Sequence, residues 1–297
     1  MEQGHRPFGI VEELLVSRSR TFADDTVLRL GKIMVISGDN ATGKTFLFRL
    51  LDTLSYERRT KLGGIFRADE FLSYSIRLRN PAPHEIKVEG RGSDITVSLN
   101  GAVVPFIPIT VEVFFQESKL GFRGLENYLK MKRAECGDAL DTLDDLLILS
   151  EYWQMDTELV RKLVSKAGTF VEHAFNQARF VDNNGASRLL VNDKRWRPDA
   201  PIHKISGGML EMLSLDVTIA YAMLMSEQVP TLLLLNLPIL HLDHTHLSLY
   251  VNFMHSPDVK FQTLIATPDP KWADPGLPWE VVQLRKDHGK SILEQLT

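Results

Sequence analysis

The spacing of apolar residues divides the chain into strand-like and helix-like segments. Apolar and polar residues alternate over 85–99 and are followed by Asn100-Gly101, which predicts an antiparallel meander with a tight hairpin. Apolar residues recur every three or four positions over 125–150 and 159–174, which predicts amphipathic helices. The continuous apolar run at 232–235 is typical of a strand buried on both faces.

The order of these segments predicts the class of fold. Two short strands are expected at 10–15 and 26–30, and strands alternate with helices in the second half of the chain. We therefore expect an α/β protein with a mainly parallel sheet and covering helices, an antiparallel β meander and a small helical insert. The main domain is expected to be discontinuous, at 1–120 and 181–297, with the helical insert at 121–180.

One segment joins a strand to a helix through a glycine-rich turn. The apolar run 33–36 is followed by eight residues that read G-x-x-x-x-G-K-T. Such a loop wraps a phosphate with its backbone, its lysine reaches the β- and γ-phosphates and its threonine ligates Mg²⁺. A glycine turn that merely reverses the chain leaves the lysine unexplained. The candidate nucleotide-binding residues are Gly38, Asp39, Asn40, Ala41, Thr42, Gly43, Lys44, Thr45 and Phe46.

Composition narrows the class of protein. With 297 residues, 44% of them hydrophobic, the chain can bury a full core, and a net charge of −4 argues against a surface that binds nucleic acid throughout. The single cysteine, Cys136, excludes an internal disulfide and fits a reducing compartment. The N-terminal residues lack an apolar leader, and the run around 232–235 is shorter than a membrane span. We therefore expect a soluble, cytoplasmic protein without a membrane partner.

These segments, in this order, resemble the ABC-type ATPase fold, and in particular its soluble branch of SMC, RecF and OLD-like proteins. The glycine-rich loop resembles the Walker A motif of that family, and Ile205-Ser206-Gly207-Gly208-Met209 resembles its L-S-G-G-Q signature except at the last position. Leu240-His241-Leu242-Asp243 resembles the D-loop, with Asp243 as its acid. Gln116 stands where the family has its Q-loop glutamine.

The resemblance implies a P-loop NTPase with ATP and Mg²⁺ as ligands. Thr45 and Gln116 are then the candidate metal ligands. In this family two subunits meet head to tail, so the signature of one subunit caps the γ-phosphate that the other binds. In this chain the capping residues are Ser206, Gly207 and Gly208.

The chain departs from the family at the positions that activate water. Asn236 and Leu237 stand where the Walker B strand is followed by Asp and Glu, and Pro268 stands where the switch histidine is expected. An amide keeps part of the hydrogen bonding but carries no charge, and leucine has no lone pair. The sequence therefore offers no clear catalytic residue and predicts a site that binds ATP but scarcely hydrolyses it. Asp243 or Glu211 is a weaker candidate for a substitute acid.

Two functions remain open at this stage. In the first, ATP is a clamp for a homodimer, or for a heterodimer in which this chain is the regulatory subunit of a related ATPase. In the second, the chain is a working ATPase in DNA repair or genome defence. A transporter's nucleotide-binding domain is a weaker third interpretation.

The candidate partners beyond ATP and a second subunit are an effector protein and nucleic acid. Nucleic acid binding would rest on two basic clusters, Arg58-Arg59-Lys61 and Lys194-Arg195-Trp196-Arg197, which are more often solvated turns. The nine histidines show no metal-binding spacing, because His244 and His246 face different ways at a helix start.

Overall fold

The chain forms two compact units, each with its own β-structure. A computed structural model describes residues 10–55, 62–79, 82–107, 111–115, 125–136, 144–169, 176–183, 185–193, 197–236, 250, 252–274 and 276–295. The first unit comprises Met1–Phe115, Met225–Pro238 and Pro257–Thr297, and the second comprises Gln116–Leu224 and Ile239–Ser256. The expected domain boundaries remain a prediction.

An antiparallel six-stranded sheet forms one layer of the first unit. In spatial order its strands are β2 (Thr26–Arg29), β1 (Val11–Arg18), β4 (Leu72–Leu78), β5 (His84–Arg91), β6 (Asp94–Leu99) and β7 (Ala102–Val104). The expected meander and its hairpin are confirmed, since Asn100 and Gly101 have φ values of 50° and 83° between β6 and β7. Strand β4 was not predicted, although the alternation of Leu72, Tyr74, Ile76 and Leu78 with polar residues is a strand signal.

The second layer of this unit is a mixed six-stranded sheet. Its spatial order is β15 (Lys290–Gln295), β14 (Glu280–Asp287), β3 (Ile33–Gly38), β13 (Gln262–Thr267), β12 (Thr231–Asn236) and β8 (Glu112–Phe115). Neighbouring strands from β14 to β8 run parallel, and β15 is antiparallel to β14. The expectation of a mainly parallel sheet therefore holds for this sheet alone. Every residue of β12 and β13 is buried, which explains their continuous apolar sequences.

Gln262 ties the two sheets of the first unit together. Its buried side-chain amide accepts hydrogen bonds from the backbone N–H groups of Ile10 and Val11, at 3.2 and 2.9 Å, and donates to Val11 O and Gly31 O, at 2.9 and 2.8 Å. A buried amide whose donors and acceptor are all satisfied stabilises one arrangement of the backbone around it. The amino end of β13 is thereby fixed to β1.

The second unit combines helices with a small antiparallel sheet. Its elements are α2 (Leu125–Cys136), α3 (Asp145–Trp153), α4 (Thr157–Thr169), β9 (Asn176–Asn183), β10 (Ala186–Asp193), β11 (Arg197–Pro201) and most of α5 (Gly207–Ser226). The expected helices are confirmed over α2 to α4, but β9 begins inside the stretch expected to be a helical insert. Asp145, at the start of α3, joins the helices to the sheet by accepting a hydrogen bond from Leu189 N at 2.9 Å.

Helix α5 is apolar enough to change one expectation about the chain. By length and composition this helix could cross a membrane, so the short run around 232–235 is not the segment on which a membrane span should be judged. Within the protein, 59% of its most apolar 18-residue stretch is buried, and buried core helices of soluble proteins have the same length and composition. The helix therefore gives only weak evidence for a membrane span.

A buried carboxyl lies on α5. Asp216 is 1% exposed and accepts a hydrogen bond from the hydroxyl of Tyr250, which is 8% exposed. Burial raises the pKa of Asp216 to about 7, although the hydrogen bond from Tyr250 opposes the shift. The folded protein therefore holds a proton on Asp216 at pH values where an unfolded chain has released it.

Replacing Asp216 with Asn is expected to change how stability depends on pH. The free energy of unfolding that this proton contributes is fully present below about pH 4 and is lost as the pH rises through about 7. Asn is neutral throughout, so Asp216→Asn should unfold with a flatter pH profile and exceed the wild type by up to about 4 kcal/mol above pH 7. Urea unfolding at pH 5 and pH 8 measures this, with Asp94→Asn on the exposed β5–β6 turn as the control. A profile parallel to that of the wild type would contradict the assignment.

Candidate nucleotide-binding site

The glycine-rich loop connects β3 to α1 (Lys44–Asp52), at the carboxyl edge of the mixed sheet. Gly38 has a φ of 153°, and a Cβ added there would lie 2.4 Å from the carbonyl oxygen of Leu284. Gly43 has a φ of 97°, and its Cβ would lie 2.9 Å from the ring of Phe22. Both glycines are therefore required by backbone conformation and by close neighbours. The loop keeps its shape only because these two positions carry no side chain.

Replacing Gly38 with Ala is expected to destabilise the protein and remove nucleotide binding. The added methyl group collides with a backbone carbonyl, which cannot move without shifting β14, and the φ value is unfavourable for alanine. We expect a loss of about 2 to 4 kcal/mol in the free energy of unfolding. Gly63→Ala is the matched control, because a Cβ there meets nothing within 4 Å. Equal unfolding midpoints for the two variants in urea would contradict this account.

Lys44 folds back over the loop. Its Nζ donates hydrogen bonds to the carbonyl oxygens of Gly38 and Asp39, at 2.6 and 2.7 Å, and the residue is 6% exposed. Burial lowers the pKa of Lys44, and the carboxylate of Asp39 opposes the shift. The ammonium group therefore lies inside the curve of the loop, where a bound phosphate would offer stronger, charged acceptors.

The carboxy-terminal hairpin supports the loop from outside. Ser291, which is fully buried, donates from Oγ to the carbonyl oxygen of Thr42 at 2.6 Å and from its backbone N to that of Thr21 at 2.7 Å. Ser291 was not among the predicted site residues, because no local pattern links it to Thr42, 249 residues away. Ser291 is near the loop because β15 pairs with β14, and β14 lies beside β3, the strand that leads into the loop.

Asn236 lies beside Thr45. It ends β12, is 8% exposed, and its Nδ2 donates to Thr45 Oγ1 at 3.3 Å. The parallel order of β3, β13 and β12 brings the ends of these strands to the same edge of the sheet. The hydroxyl expected to ligate Mg²⁺ is therefore in contact with an amide rather than with a carboxylate.

Pro268 follows β13 at the same edge. It is partly exposed, and the chain then turns into a short 3-10 helix that Asp269 caps by accepting from the N–H of Lys271 at 3.0 Å. A proline side chain has neither a donor nor an acceptor, so it cannot contact a phosphate or position water by hydrogen bonding. Three other residues named above, Gln116, Leu237 and Asp243, lie outside the described residues.

The signature-like residues lie in the second unit, at the start of α5. Ser206 caps this helix, because its Oγ accepts from the N–H of Met209 at 3.3 Å. A Cβ added at Gly207 would lie 2.4 Å from Oε2 of Glu126, so that carboxylate lies against the helix start. Lys130 donates to Glu126 at 2.6 Å. A helix amino end attracts anions, and here the neighbouring anion belongs to the protein itself.

A cavity of about 360 Å³ opens over the loop. Its lining includes Asn40, Gly43, Lys44, Thr45 and Asn236. The glycine-cradled backbone and the buried ammonium of Lys44 fit a polyphosphate, and the hydroxyl of Thr45 fits a ligand of Mg²⁺. The described lining contributes no carboxylate to a metal ion, so bound phosphates would supply its negative ligands. Of the basic clusters considered above, residues 58–61 and 194–196 lie outside the described residues.

The fold is that of SMC head domains and RecF. A solved structure of an Smc head bound to the C-winged helix domain of ScpA matches with a TM-score of 0.64 at 15% identity, over 97% of this chain and 98% of that chain. The SMC head domain from Thermotoga maritima matches with a TM-score of 0.61 at 12% identity, over 97% and 99% of the two chains. The recombination mediator RecF with ATP matches with a TM-score of 0.58 at 14% identity, over the full length of both chains.

No protein-family model and no curated protein sequence matches this chain. The structural matches have such low identity that they establish the fold alone. The expected ABC-type ATPase fold is thereby confirmed.

Proposed function

We propose that the chain binds ATP with Mg²⁺ at the glycine-rich loop, hydrolyses it very weakly or not at all, and uses the bound nucleotide as a clamp for dimerisation or regulatory assembly. The observation that carries this proposal is the contact between Asn236 and Thr45. The phosphate-binding parts of the loop are intact, whereas the neighbouring position offers an uncharged amide. The site can therefore bind ATP without the groups that are needed to hydrolyse it.

The chemistry of the amide explains why hydrolysis should suffer. Asn236 donates an N–H to Thr45 Oγ1, so it competes for the oxygen that Mg²⁺ needs, and it supplies no negative charge to the metal. Leu237 follows it and cannot accept a proton from water. Loss of a general base costs about 10² to 10⁴ in rate, and loss of an electrostatic contact costs about 10² more. Phosphoryl transfer relies on these effects almost entirely.

The proposed role of ATP as a clamp rests on the residues at the start of α5, which resemble the signature motif of ABC-type ATPases. In a head-to-tail dimer, Ser206 and the amide groups of Gly207 and Gly208 would meet the γ-phosphate bound by the other subunit. Glu126 lies against this helix start, so it would have to give way to the phosphate. In a homodimer both sites would be nearly inactive. In a heterodimer the same residues would complete the active site of a related subunit.

Equilibrium binding and sedimentation test this proposal together. We expect purified protein to bind ATP in the presence of Mg²⁺ and to sediment as a monomer without nucleotide and as a dimer with it. Ser206→Arg should still bind ATP, because Ser206 belongs to the signature rather than to the loop, but it should no longer dimerise. Failure of the wild type to bind ATP would contradict the proposal, and so would unchanged sedimentation at saturating ATP.

A working ATPase in DNA repair or genome defence is the second candidate. The observation that favours it is the likeness to a RecF structure described with ATP in the RecFOR pathway. Sustained phosphate release by the wild type, lost in Lys44→Ala, would favour this candidate over the clamp. For either function we propose a soluble, cytoplasmic protein.

A further inference from the structure

A second cavity adjoins the one over the glycine-rich loop. It measures about 440 Å³, and it shares Thr21, Phe46 and Arg49 with the first. All of its lining belongs to the first unit. A ligand whose polyphosphate lies on the loop would therefore extend past Phe46 and Arg49 into this second space.

The second cavity is strongly cationic. Its lining includes Arg20, Arg49, Arg67 and Lys286 but only one carboxylate, that of Glu70. Asp69 lies nearby and is shared between Arg67, at 3.2 Å, and Arg20, at 3.9 Å. Four cations beside two carboxylates leave an excess of two positive charges.

The cations are available to a ligand. The side chains of Arg20 and Arg67 are 70% and 64% exposed, and exposed ion pairs of this kind contribute little energy and exchange readily. Lys286 is bonded only to a backbone carbonyl, that of Gly289, at 3.4 Å among the described contacts. Arg49 is exposed, and within the described residues its guanidinium has neither an ion pair nor a hydrogen bond.

Phe46 supplies an apolar surface between the two cavities. Behind it lies Phe22, which is fully buried, with the two ring centroids 6.1 Å apart and the ring planes inclined by 24°. Phe22 is therefore a core residue, and it supports the ring of Phe46, which a nucleobase can contact. A neutral nucleoside needs such a surface and a few polar groups, but it does not need four cations.

We propose that this cavity is a second anion subsite, and that the favoured ligand is a nucleotide with a further phosphate on its ribose. The inference rests on the proposed function, because the loop must hold the 5′ phosphates of the same ligand. Arg49 and Lys286 bind the ribose phosphate, and Arg20 and Arg67 exchange their ion pairs with Asp69 for contacts with it. Charged donors in a partly enclosed space bind a phosphate much more strongly than a ribose hydroxyl.

Matched mononucleotides test this inference. Affinities for adenosine 5′-monophosphate and for adenosine 3′,5′-bisphosphate and 2′,5′-bisphosphate are measured by competition with fluorescent ATP. We expect at least one bisphosphate to bind about tenfold more tightly than the monophosphate. In the Arg49→Gln, Lys286→Gln double variant this ratio should fall to near one. Arg285→Gln, which replaces an exposed arginine outside the lining, should keep the ratio of the wild type.

The outcomes separate this inference from the proposed function. If ATP binds but both bisphosphates bind only as well as the monophosphate, the second subsite is refuted while the clamp stands. If the preference survives in the double variant, the ribose phosphate binds elsewhere and the assignment is wrong. If neither ATP nor any mononucleotide binds, both proposals fail. Because each variant is judged by the ratio of two affinities, a general loss of nucleotide binding cancels.

Discussion

Replacing Asn236 with Asp and Leu237 with Glu is expected to raise the single-turnover rate of ATP hydrolysis by about 10² to 10⁴. The aspartate restores a negative charge beside Thr45, where the Asn236 amide now donates to Oγ1 at 3.3 Å. The glutamate restores a base for the attacking water. Asn236 ends β12, at the edge of the sheet where β3 also ends, and Leu237 is the next residue in the sequence.

Single variants and a triple variant serve as controls for this result. Asn236→Asp alone should improve Mg²⁺-dependent binding with little hydrolysis, and Leu237→Glu alone should remain limited by the poorly held metal. Adding Lys44→Ala to the double change should return the rate to that of the wild type, which assigns the turnover to this loop. A double variant that binds ATP normally but hydrolyses no faster would mean that these two positions do not limit the reaction.

Lys44→Ala is expected to weaken ATP binding by about 10²-fold or more. The Nζ of Lys44 now donates to the carbonyl oxygens of Gly38 and Asp39, at 2.6 and 2.7 Å, and would transfer these donors to the β- and γ-phosphates. Two charge-assisted hydrogen bonds of about 1.5 kcal/mol each account for a change of that size. Isothermal titration with ATP and Mg²⁺ measures it directly.

The matched control for this variant is Lys260→Ala, which removes an exposed lysine on the segment leading to β13. Its ATP affinity should equal that of the wild type. Thermal unfolding without nucleotide should show that Lys44→Ala remains folded, because the lost ammonium lies in the loop rather than in the core. An affinity for ATP within about threefold of the wild type would contradict the role assigned to Lys44.

The sequence identified the loop because its requirements are local. The positive φ values of Gly38 and Gly43 are local backbone properties that glycine adopts readily, so the spacing of the two glycines is informative by itself. The meander and the buried strands followed from side-chain periods for the same reason. Strand β4 has an equally local alternation of side chains, so it could have been predicted from the sequence in the same way.

Other features of the site depend on contacts between distant parts of the chain. Ser291 supports the loop through Thr42, and the carbonyl oxygen of Leu284 fills the space beside Gly38, although both belong to a carboxy-terminal hairpin. The contact between Asn236 and Thr45 requires β12, β13 and β3 to lie side by side in parallel. The cationic cavity likewise combines Arg20, Arg67 and Lys286 from separate segments, so no single motif reveals it.

Single-turnover hydrolysis of radiolabelled ATP by the purified chain tests the central claim most directly. With protein in excess over ATP and Mg²⁺, and with binding verified in the same sample, we expect ATP to remain bound and essentially intact over many minutes. Rapid release of phosphate that disappears in Lys44→Ala would contradict the claim, because it would mean that another group activates water at this loop.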